Sequence, residues 1–488
     1  MSSSVLEKAR DYENRFIESI KSEERPAFHI SAPIGWINDP NGFSIFNEEY
    51  HLFYQYNPYG TVWGPMHWGH SKSKDMIKWQ QLPVAMAPDS KYDIDGCFSG
   101  SAIEDNNKHI LMYTGVVDKK NENGEHYVRQ VQCIAIGDGE NYFKLDSNPV
   151  ITDELLPEGS SFEDFRDPKI WKEDGDFYSV VASRSKDGSG QILMFKSENL
   201  KTWELVTILD KSENKLGRMW ECPDFFNIDG KNVLVISPQE VRATKDGFHN
   251  GNNTAFLIGE YDKENKKFNR EKTKVIDFGL DFYAPQTFED KDGRRIMIGW
   301  MQSWENRIIP NEFKWCGMMT IPREIRIKDN NVIQTPIKEI ENYYGDTVKY
   351  EKITIDKEVS LEGINGRVLD MTLDIDASKA EEFEIKFAKN NEYETIIRYY
   401  SKRNTIEFDR SYSGKYGDIL HKREMKVKDN DGKLRMRLVL DKYSAEIFAN
   451  DGEQVMTSTF YTPLDAQDIT LSSKGKSILS IEKHKIDI

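Results

Sequence analysis

Three short stretches display a carboxylate where neither a helix nor a central strand continues easily. Asp39 lies in "WINDPNG" and Asp167 in "FRDPK", and in both the following proline pushes the acidic residue toward extended backbone. Glu221 lies in "WECPD", between Trp220 and Cys222. Carboxylates shown at strand ends are suited to general acid–base catalysis or to nucleophilic attack.

The residues beside these acids predict different ionisation states. Arg166 next to Asp167 favours the charged carboxylate, whereas the apolar neighbours of Glu221 should favour its protonated form. A glycosidase needs such a division between an ionised nucleophile and a protonated acid. An aspartic-protease-like dyad would need two equivalent aspartates, and a calcium site would need more oxygen ligands at closer spacing.

Composition narrows the class of protein. The chain has 488 residues, which favours two or three domains, and its 10 Trp and 22 Tyr suit β-strands and sugar-stacking surfaces. A net charge of −16 argues against nucleic acid or an anionic membrane as partner.

The charged N-terminus and the lack of long apolar runs predict a cytoplasmic protein. The cysteines are scattered singly and are interpreted as reduced thiols, without a metal site: Cys97, Cys133, Cys222 and Cys316.

Residues 1–30 predict a short N-terminal helical extension that packs on the main body. Ser4 and Glu7 have the spacing of a capping box, and Pro26 sets the latest end of the helix. The apolar residues recur at helical spacing: Leu6, Ala9, Tyr12, Phe16 and Ile20.

Residues 31–338 read as a succession of short β-strands and predict a five-bladed β-propeller as the catalytic domain. Polar motifs recur at steps of 60, 68, 54 and 62 residues, and five motifs imply five blades: Asp39, Ser99, Asp167, Glu221 and Tyr283. Because the innermost strand of each blade lines the axis, we expect Asp39, Asp167 and Glu221 to meet in one funnel.

Residues 339–488 alternate apolar and polar residues in short runs and predict a β-sandwich. The overall fold class is therefore all-β. In "DKYSAEIFANDG", Asp441 and Glu446 are interpreted as solvated carboxylates at strand edges, without a catalytic role.

The order and separation of "WINDPNG", "FRDPK" and "ECPD" resemble the three signature motifs of glycoside hydrolase family 32, which contains β-fructofuranosidases, levanases and inulinases. The resemblance spans essentially the whole chain and includes "YQYNP", "FSGS", "DFYAPQ", "IGWM" and "MTIPREI". The N-terminal helix and the lack of a secretion signal resemble the intracellular sucrose-6-phosphate hydrolase or sucrase branch.

This resemblance implies hydrolysis of terminal β-fructofuranosides with retention of configuration and without a cofactor. Asp39 would be the nucleophile, Glu221 the acid and then the base, and Asp167 the stabiliser of the transition state, with Arg166 alongside. The remaining expected substrate-binding residues are Asn38, Gln55, Trp63, Phe98, Ser99, Tyr283 and Trp300.

Several alternatives stay open at this point. Sucrose 6-phosphate, sucrose or both would be the substrate, while an exo-acting fructan hydrolase, a fructosyltransferase and a non-catalytic sugar-binding propeller are the rivals. For a phosphorylated substrate, Arg307 and Lys314 in "ENRIIPNEFKWCG" are candidate phosphate ligands. The sequence does not predict an oligomeric state.

Overall fold

The computed structural model describes residues 3–120, 124, 126–306, 308–414, 417 and 419–488. The chain opens with helix α1 (Ser4–Phe16), whose N-cap is Ser3: its hydroxyl accepts a hydrogen bond from the backbone N–H of Leu6 at 3.1 Å. The capping-box prediction thus began one residue late. Short 3₁₀ helices occur at Ile17–Ser19, Ser22–Glu24, Asp153–Leu155, Lys338–Tyr343 and Asn450–Gly452.

Five sheets follow the helix, each built on four antiparallel strands in chain order. The first contains β1 (Gly35–Phe46), β2 (Glu49–Asn57), β3 (His67–Ser73) and β4 (Trp79–Met86). The second contains β5 (Gly96–Asp105), β6 (Lys108–Lys120), β7 (His126–Gly137) and β8 (Tyr142–Lys144). The third contains β9 (Phe165–Glu173), β10 (Asp176–Arg184), β11 (Gly190–Ser197) and β12 (Glu204–Lys211). The fourth contains β13 (Met219–Ile228), β14 (Lys231–Gln239), β15 (Ala255–Asp262) and β16 (Lys267–Val275). The fifth contains β17 (Tyr283–Glu289) and β18 (Arg295–Trp300) and, after the two-residue strand β19 (Trp315–Cys316), β20 (Arg323–Lys328) and β21 (Asn331–Pro336).

The first strands of the five sheets form a closed ring. β1 contacts β5, β5 contacts β9, β9 contacts β13, β13 contacts β17, and β17 returns to β1. β19 joins the first sheet by pairing in parallel with the start of β1, so the last part of the ring is tied to its beginning. The prediction of a five-bladed propeller is confirmed. Helix α1 packs its buried residues Leu6 and Ala9 toward β4 on the outside of the first blade.

The inner strands share a local irregularity. Each loses its regular pairing with the second strand of its blade close to its first residues, between Ile37 and Pro40, Phe98 and Gly100, Arg166 and Lys169, Glu221 and Asp224, and Tyr283 and Gln286. Such bulges bend a strand and re-aim its side chains. All five predicted motifs therefore lie at the same end of the ring, each at a bulge.

The C-terminal region is a β-sandwich, as predicted. Two long strands, β23 (Leu369–Lys389) and β30 (Asp468–Ile486), pair with each other along most of their lengths. The first half of β23 also pairs with β27 (Lys433–Asp441), and its second half with β24 (Glu394–Tyr400). One apolar cluster fills the space between the layers. The strands are β22 (Tyr344–Ile355), β23 (Leu369–Lys389), β24 (Glu394–Tyr400), β25 (Thr405–Tyr412), β26 (Lys422–Lys426), β27 (Lys433–Asp441), β28 (Ser444–Ala449), β29 (Gln454–Thr459) and β30 (Asp468–Ile486). The domain boundaries after residues 30 and 338 stay a prediction.

Buried charges join the propeller to the sandwich. His29 contacts Asp441 Oδ2 through Nδ1 at 2.8 Å and Glu446 Oε1 through Nε2 at 2.9 Å. Arg323 donates to Glu446 at 2.7 Å and to Asp277 at 3.0 Å, and all five side chains are fully buried. The interpretation of Asp441 and Glu446 as solvated was wrong, because partners remote in sequence cover them. Burial alone would lower the pKa of His29, but the two carboxylates outweigh it and raise the pKa to about 9.

None of the helices in the described part of the chain combines the length and the apolar character needed to traverse a bilayer. The four cysteines all lie within the described residues and form no disulfide there, and three of them are buried.

Candidate active site

The bulged ends of the inner strands surround a cleft of about 970 Å³. Nine of the eleven predicted site residues line it: Asn38, Asp39, Gln55, Trp63, Phe98, Ser99, Arg166, Asp167 and Glu221. Gln55 is fixed by a hydrogen bond from its amide to the carbonyl oxygen of Cys97 at 3.0 Å. The cleft is thus the candidate active site.

Asp39 is half-buried and held at both carboxylate oxygens. Asn38 donates to Oδ1 at 3.0 Å and Ser99 donates to Oδ2 at 2.7 Å. Trp36 in turn fixes Asn38, because its indole N–H donates to the amide oxygen at 2.8 Å. Burial, followed by the nearby charge of Glu221, raises the pKa of Asp39, and the hydrogen bonds from Ser99 and Asn38 oppose that rise. These contacts leave Asp39 oriented toward the cleft.

Asp167 is buried, and its backbone lies in the left-handed region, which aspartate adopts more readily than most residues. Its φ is +65°, its backbone N–H donates to Thr114 Oγ1 at 2.9 Å, and its Oδ2 accepts the backbone N–H of Cys222 at 3.0 Å. Burial raises the pKa of Asp167, and the charges of Glu221 and Asp39 add to this, while Arg166 opposes them. The residue is placed beside both other acids.

Glu221 accepts four hydrogen bonds. Arg166 donates to Oε1 from Nε at 3.0 Å and from Nη2 at 2.9 Å. Gln239 at 2.8 Å and the hydroxyl of Tyr283 at 2.7 Å both donate to Oε2. The apolar setting predicted for Glu221 was wrong, because the bulge turns its side chain away from its neighbour Trp220, which is fully buried.

Arg166 was expected to pair with Asp167, and its main partner is Glu221. Its Nε lies 4.0 Å from Asp167 Oδ2, against 3.0 Å from Glu221 Oε1. The guanidinium also contacts Asp164 through Nη1 at 3.4 Å. Despite burial, these carboxylates raise the pKa of Arg166, so it stays charged. Arg166, on β9, thus connects the third blade to Glu221 on β13.

Cys222 links the other two acids, a role that the sequence did not indicate. Its Sγ lies 3.5 Å from Asp39 Oδ2 and 3.7 Å from Asp167 Oδ2, and its φ is +49°. Burial and then the charges of Asp167 and Asp39 raise the pKa of Cys222, so the thiol stays protonated and serves as a weak donor.

Two residues that were predicted to line the cleft, Tyr283 and Trp300, are buried behind its surface. Tyr283 is buried and donates its hydroxyl to Glu221, and Trp300 is fully buried. Trp304, four residues later, takes the expected place of Trp300: its side chain is 39% exposed, lines the cleft and is stacked on Trp36 at 6.1 Å. Trp63 lines the mouth with 48% exposure. "IGWM" and "SWEN" both carried a tryptophan, and the sequence did not show which one faces the sugar.

Neither predicted phosphate ligand can be placed at the site. Arg307 lies outside the described residues, and the exposed side chain of Lys314 is not part of the cleft wall. Within the described ranges, no three His, Cys, Asp or Glu side chains come together as ligands of a metal ion. The chemistry of the cleft therefore has to be derived from its carboxylates, arginines and amides.

Comparison with known proteins follows the same division of the chain. The profile of the glycosyl hydrolases family 32 N-terminal domain matches residues 29–336, and that of the family 32 C-terminal region matches residues 339–487. A sucrose-6-phosphate hydrolase of Zymomonas mobilis is 37% identical over 450 residues, which cover 89% of this chain and 85% of that protein. A raffinose invertase of Escherichia coli is 34% identical and covers 93% of each chain.

Solved structures point to the same family as the sequence comparisons. A GH32 β-fructofuranosidase of Bombyx mori superposes with a TM-score of 0.87 at 31% identity, covering 100% of this chain and 99% of that one. A variant of the Bombyx mori enzyme has been solved in complex with sucrose. With three carboxylates at the bulged ends of a five-bladed ring and both family profiles matched, the chain belongs to glycoside hydrolase family 32 and is a glycoside hydrolase.

Proposed function

We propose that the enzyme hydrolyses terminal, non-reducing β-D-fructofuranosides with retention, using Asp39 as nucleophile and Glu221 as general acid and then base. The observation that carries this proposal is the convergence of Asp39 and Glu221 on one cleft, each with its own set of partners. Neutral donors hold both oxygens of Asp39 and orient it for attack. Glu221 meets neutral partners, Gln239 and Tyr283, at Oε2, which is the oxygen that can carry a proton.

In the first step, Asp39 attacks the anomeric carbon of the fructosyl unit while Glu221 gives its proton to the departing oxygen. In the second step, Glu221 takes a proton from water, and that water cleaves the ester on Asp39. Asp167, held by Thr114 and Cys222, hydrogen-bonds fructose hydroxyls as positive charge develops in the ring.

The hydroxyl of Tyr283 supports both protonation states of Glu221. It lies 2.7 Å from Glu221 Oε2 and 3.1 Å from the carbonyl oxygen of Ser237. A single O–H donates to one acceptor at a time. It donates to Glu221 when the carboxylate is ionised and turns to Ser237 when Glu221 carries the proton.

The proposed substrates are sucrose 6-phosphate and sucrose. The names of several relatives support the phosphate ester, including those from Zymomonas mobilis and Escherichia coli. A phosphorylated disaccharide would be met in the cytoplasm, which is the location we propose. The described cleft residues include seven carboxylates and two arginines, so a phosphate must approach on the side of the arginines.

A fructan is the second candidate substrate. Trp63 and Trp304 expose aromatic faces at the mouth of the cleft, where further sugar units would stack. A levanase of Bacillus subtilis is 32% identical over 492 residues.

A substrate panel tests the proposal. Purified enzyme is incubated with sucrose, sucrose 6-phosphate, raffinose and levan, and the released sugars are quantified. We expect fructose from the first two, and none from any substrate with the Asp39→Ala variant. If the wild-type enzyme binds sucrose but releases no fructose from any of the four, it is a sugar-binding propeller and the proposal fails.

A further inference from the structure

The third blade carries a row of alternating charges that leads from the acid to the mouth of the cleft. Arg166 bridges Glu221 and Asp164, and Asp164 continues to Arg184: Arg184 Nη2 lies 2.9 Å from Asp164 Oδ2. Arg184 is the last residue of β10, and its side chain is 38% exposed. The row therefore begins at the residue that protonates the leaving group and ends at solvent.

Among the described residues of the cleft wall, Arg166 and Arg184 are the only cations. Arg166 is occupied by Glu221, on which it directs two donors. The ion pair with Asp164 is the one that Arg184 makes within the described part of the chain. Because a guanidinium has five N–H donors in a planar fork, Arg184 keeps donors for a second anion.

The neighbouring second blade would repel an anion. Asp95 and Asp118, from the second blade, line the cleft there. The third blade carries both arginines of the described cleft wall, although Glu163, Asp164 and Asp167 also lie there. Arg184 is partly exposed at the mouth and is paired with Asp164, so its remaining donors can meet an incoming anion. An anionic group on the leaving hexose is best accommodated on this side of the cleft.

We propose that Arg184 is the residue that recognises a phosphate monoester on the leaving sugar, as in sucrose 6-phosphate. Asp164 orients the guanidinium toward the mouth and is itself held by the hydroxyl of Ser161 at 3.1 Å. This inference rests on the proposed function, because it places the leaving hexose next to Glu221. Arg184 takes the place of Lys314, which is not part of the cleft wall, and Arg307 lies outside the described residues.

Two variants and a matched control test the role of Arg184. Arg184→Gln removes the cation, and Arg184→Lys keeps a point charge without the planar fork. Arg403→Gln is the control, because Arg403 is an exposed sandwich arginine with one carboxylate partner, Glu424 at 3.1 Å. The melting temperature of each variant checks its folding.

The measurement is kcat/KM for sucrose 6-phosphate and for sucrose, at low and high salt. We expect the wild-type enzyme to prefer the phosphate ester, and Arg184→Gln to reduce that preference roughly 10- to 100-fold, as expected for charge-assisted hydrogen bonds. Arg184→Lys should keep part of the preference, and Arg403→Gln should keep all of it. High salt should weaken the preference of the wild-type enzyme more than that of Arg184→Gln.

Product inhibition is an independent test of phosphate recognition by Arg184. Glucose 6-phosphate should inhibit sucrose hydrolysis by the wild-type enzyme more strongly than glucose does, and Arg184→Gln should remove that difference. An unchanged preference and unchanged inhibition in Arg184→Gln would overturn the assignment, and so would a wild-type enzyme that cleaves both sugars equally well. Absence of hydrolysis of either sugar by the wild-type enzyme would instead overturn the proposed function.

Discussion

Arg166 directs two donors at a single oxygen of Glu221: Nε at 3.0 Å and Nη2 at 2.9 Å both reach Oε1. The other oxygen, Oε2, contacts neutral donors from Gln239 and Tyr283. A proton on Glu221 therefore resides on Oε2, because Oε1 faces a cation that cannot accept a hydrogen bond.

Replacing the acid should have an effect that depends on the leaving group. Glu221→Gln keeps the shape and an acceptor for Arg166, but it has no proton to give. We expect kcat/KM for sucrose to fall roughly 10²- to 10⁴-fold, and to fall much less for an activated aryl fructoside, whose leaving group needs no proton. Steady-state kinetics on both substrates measure the two losses in kcat/KM. An equal loss on both would contradict the role of Glu221 as proton donor.

The stereochemical course tests Asp39. A covalent ester on Asp39 inverts the anomeric carbon twice, so β-fructofuranose should appear before mutarotation. Proton NMR of the first minutes of hydrolysis shows which anomer is released. If the α-anomer comes first, water attacks directly and Asp39 is a base rather than a nucleophile. Asp39→Ala should abolish turnover without a large change in melting temperature, because the side chain faces the cleft.

Asp167→Asn tests stabilisation of the transition state. Asparagine tolerates a positive φ as aspartate does, so the turn at φ +65° should persist in this variant. If Asp167 binds fructose hydroxyls most strongly as charge develops, kcat and kcat/KM should fall together. A rise in KM at constant kcat would instead make Asp167 a binding residue only.

The acid limb of the pH profile should respond to Ser99. Burial holds the pKa of Asp39 above its ordinary value, and the hydroxyl of Ser99 opposes that shift by donating to Oδ2 at 2.7 Å. Ser99→Ala removes this donor, so the pKa of Asp39 should rise further, and the acid limb of kcat/KM should move up by about one pH unit. Ser179→Ala is the control, because Ser179 is buried and its hydroxyl has no hydrogen-bond partner among the described residues. A shift in the control, or none in Ser99→Ala, would refute this account.

Stability should fall on the alkaline side because of His29. Its pKa is raised to about 9 in the folded protein, so the folded state binds a proton more tightly than the unfolded chain, whose histidine has an ordinary pKa near 6.5. The stabilisation is complete below about pH 6.5 and is lost as the pH rises through 9. The melting temperature of the wild-type protein, followed between these values, should decline.

His29→Gln leaves Asp441 buried without its histidine cation, while Glu446 keeps Arg323 at 2.7 Å. We expect a loss of roughly 3–5 kcal/mol in the free energy of unfolding near neutral pH, as for other broken buried ion pairs. The variant should also lack the decline between pH 6.5 and 9. A decline of equal size in the variant would show that another group titrates.

Much of this fold could be predicted from the sequence, because five motifs at similar spacing correspond to the five inner strands. The bulges explain why the motifs were visible: proline and turn residues interrupt each strand where its side chain must face the cleft. The sequence did not show which tryptophan faces the sugar. Trp300 and Trp304 are close together in the chain, and which of them reaches the cleft depends on where the chain turns after β18.

The environment of each acid was the least predictable feature. Neighbours in sequence suggested an apolar site for Glu221, but its partners Arg166, Gln239 and Tyr283 come from three different strands. Likewise, Asp441 is covered by His29, 412 residues earlier in the chain. Contacts between residues so distant in the chain are set by topology, which local composition does not reveal.

The parallel pairing of β19 with β1 also has a consequence for protein synthesis. Gly35 and Trp36 pair with Trp315 and Cys316, so the strand that carries Asp39 lacks its second neighbour, β19, until 280 further residues have been translated. At roughly 5–20 residues per second, this delay is about 14–56 s. The nucleophile emerges from the ribosome among the first residues of the chain, yet its strand is among the last parts of the ring to be completed. A nascent polypeptide that ends before residue 315 would therefore be catalytically silent.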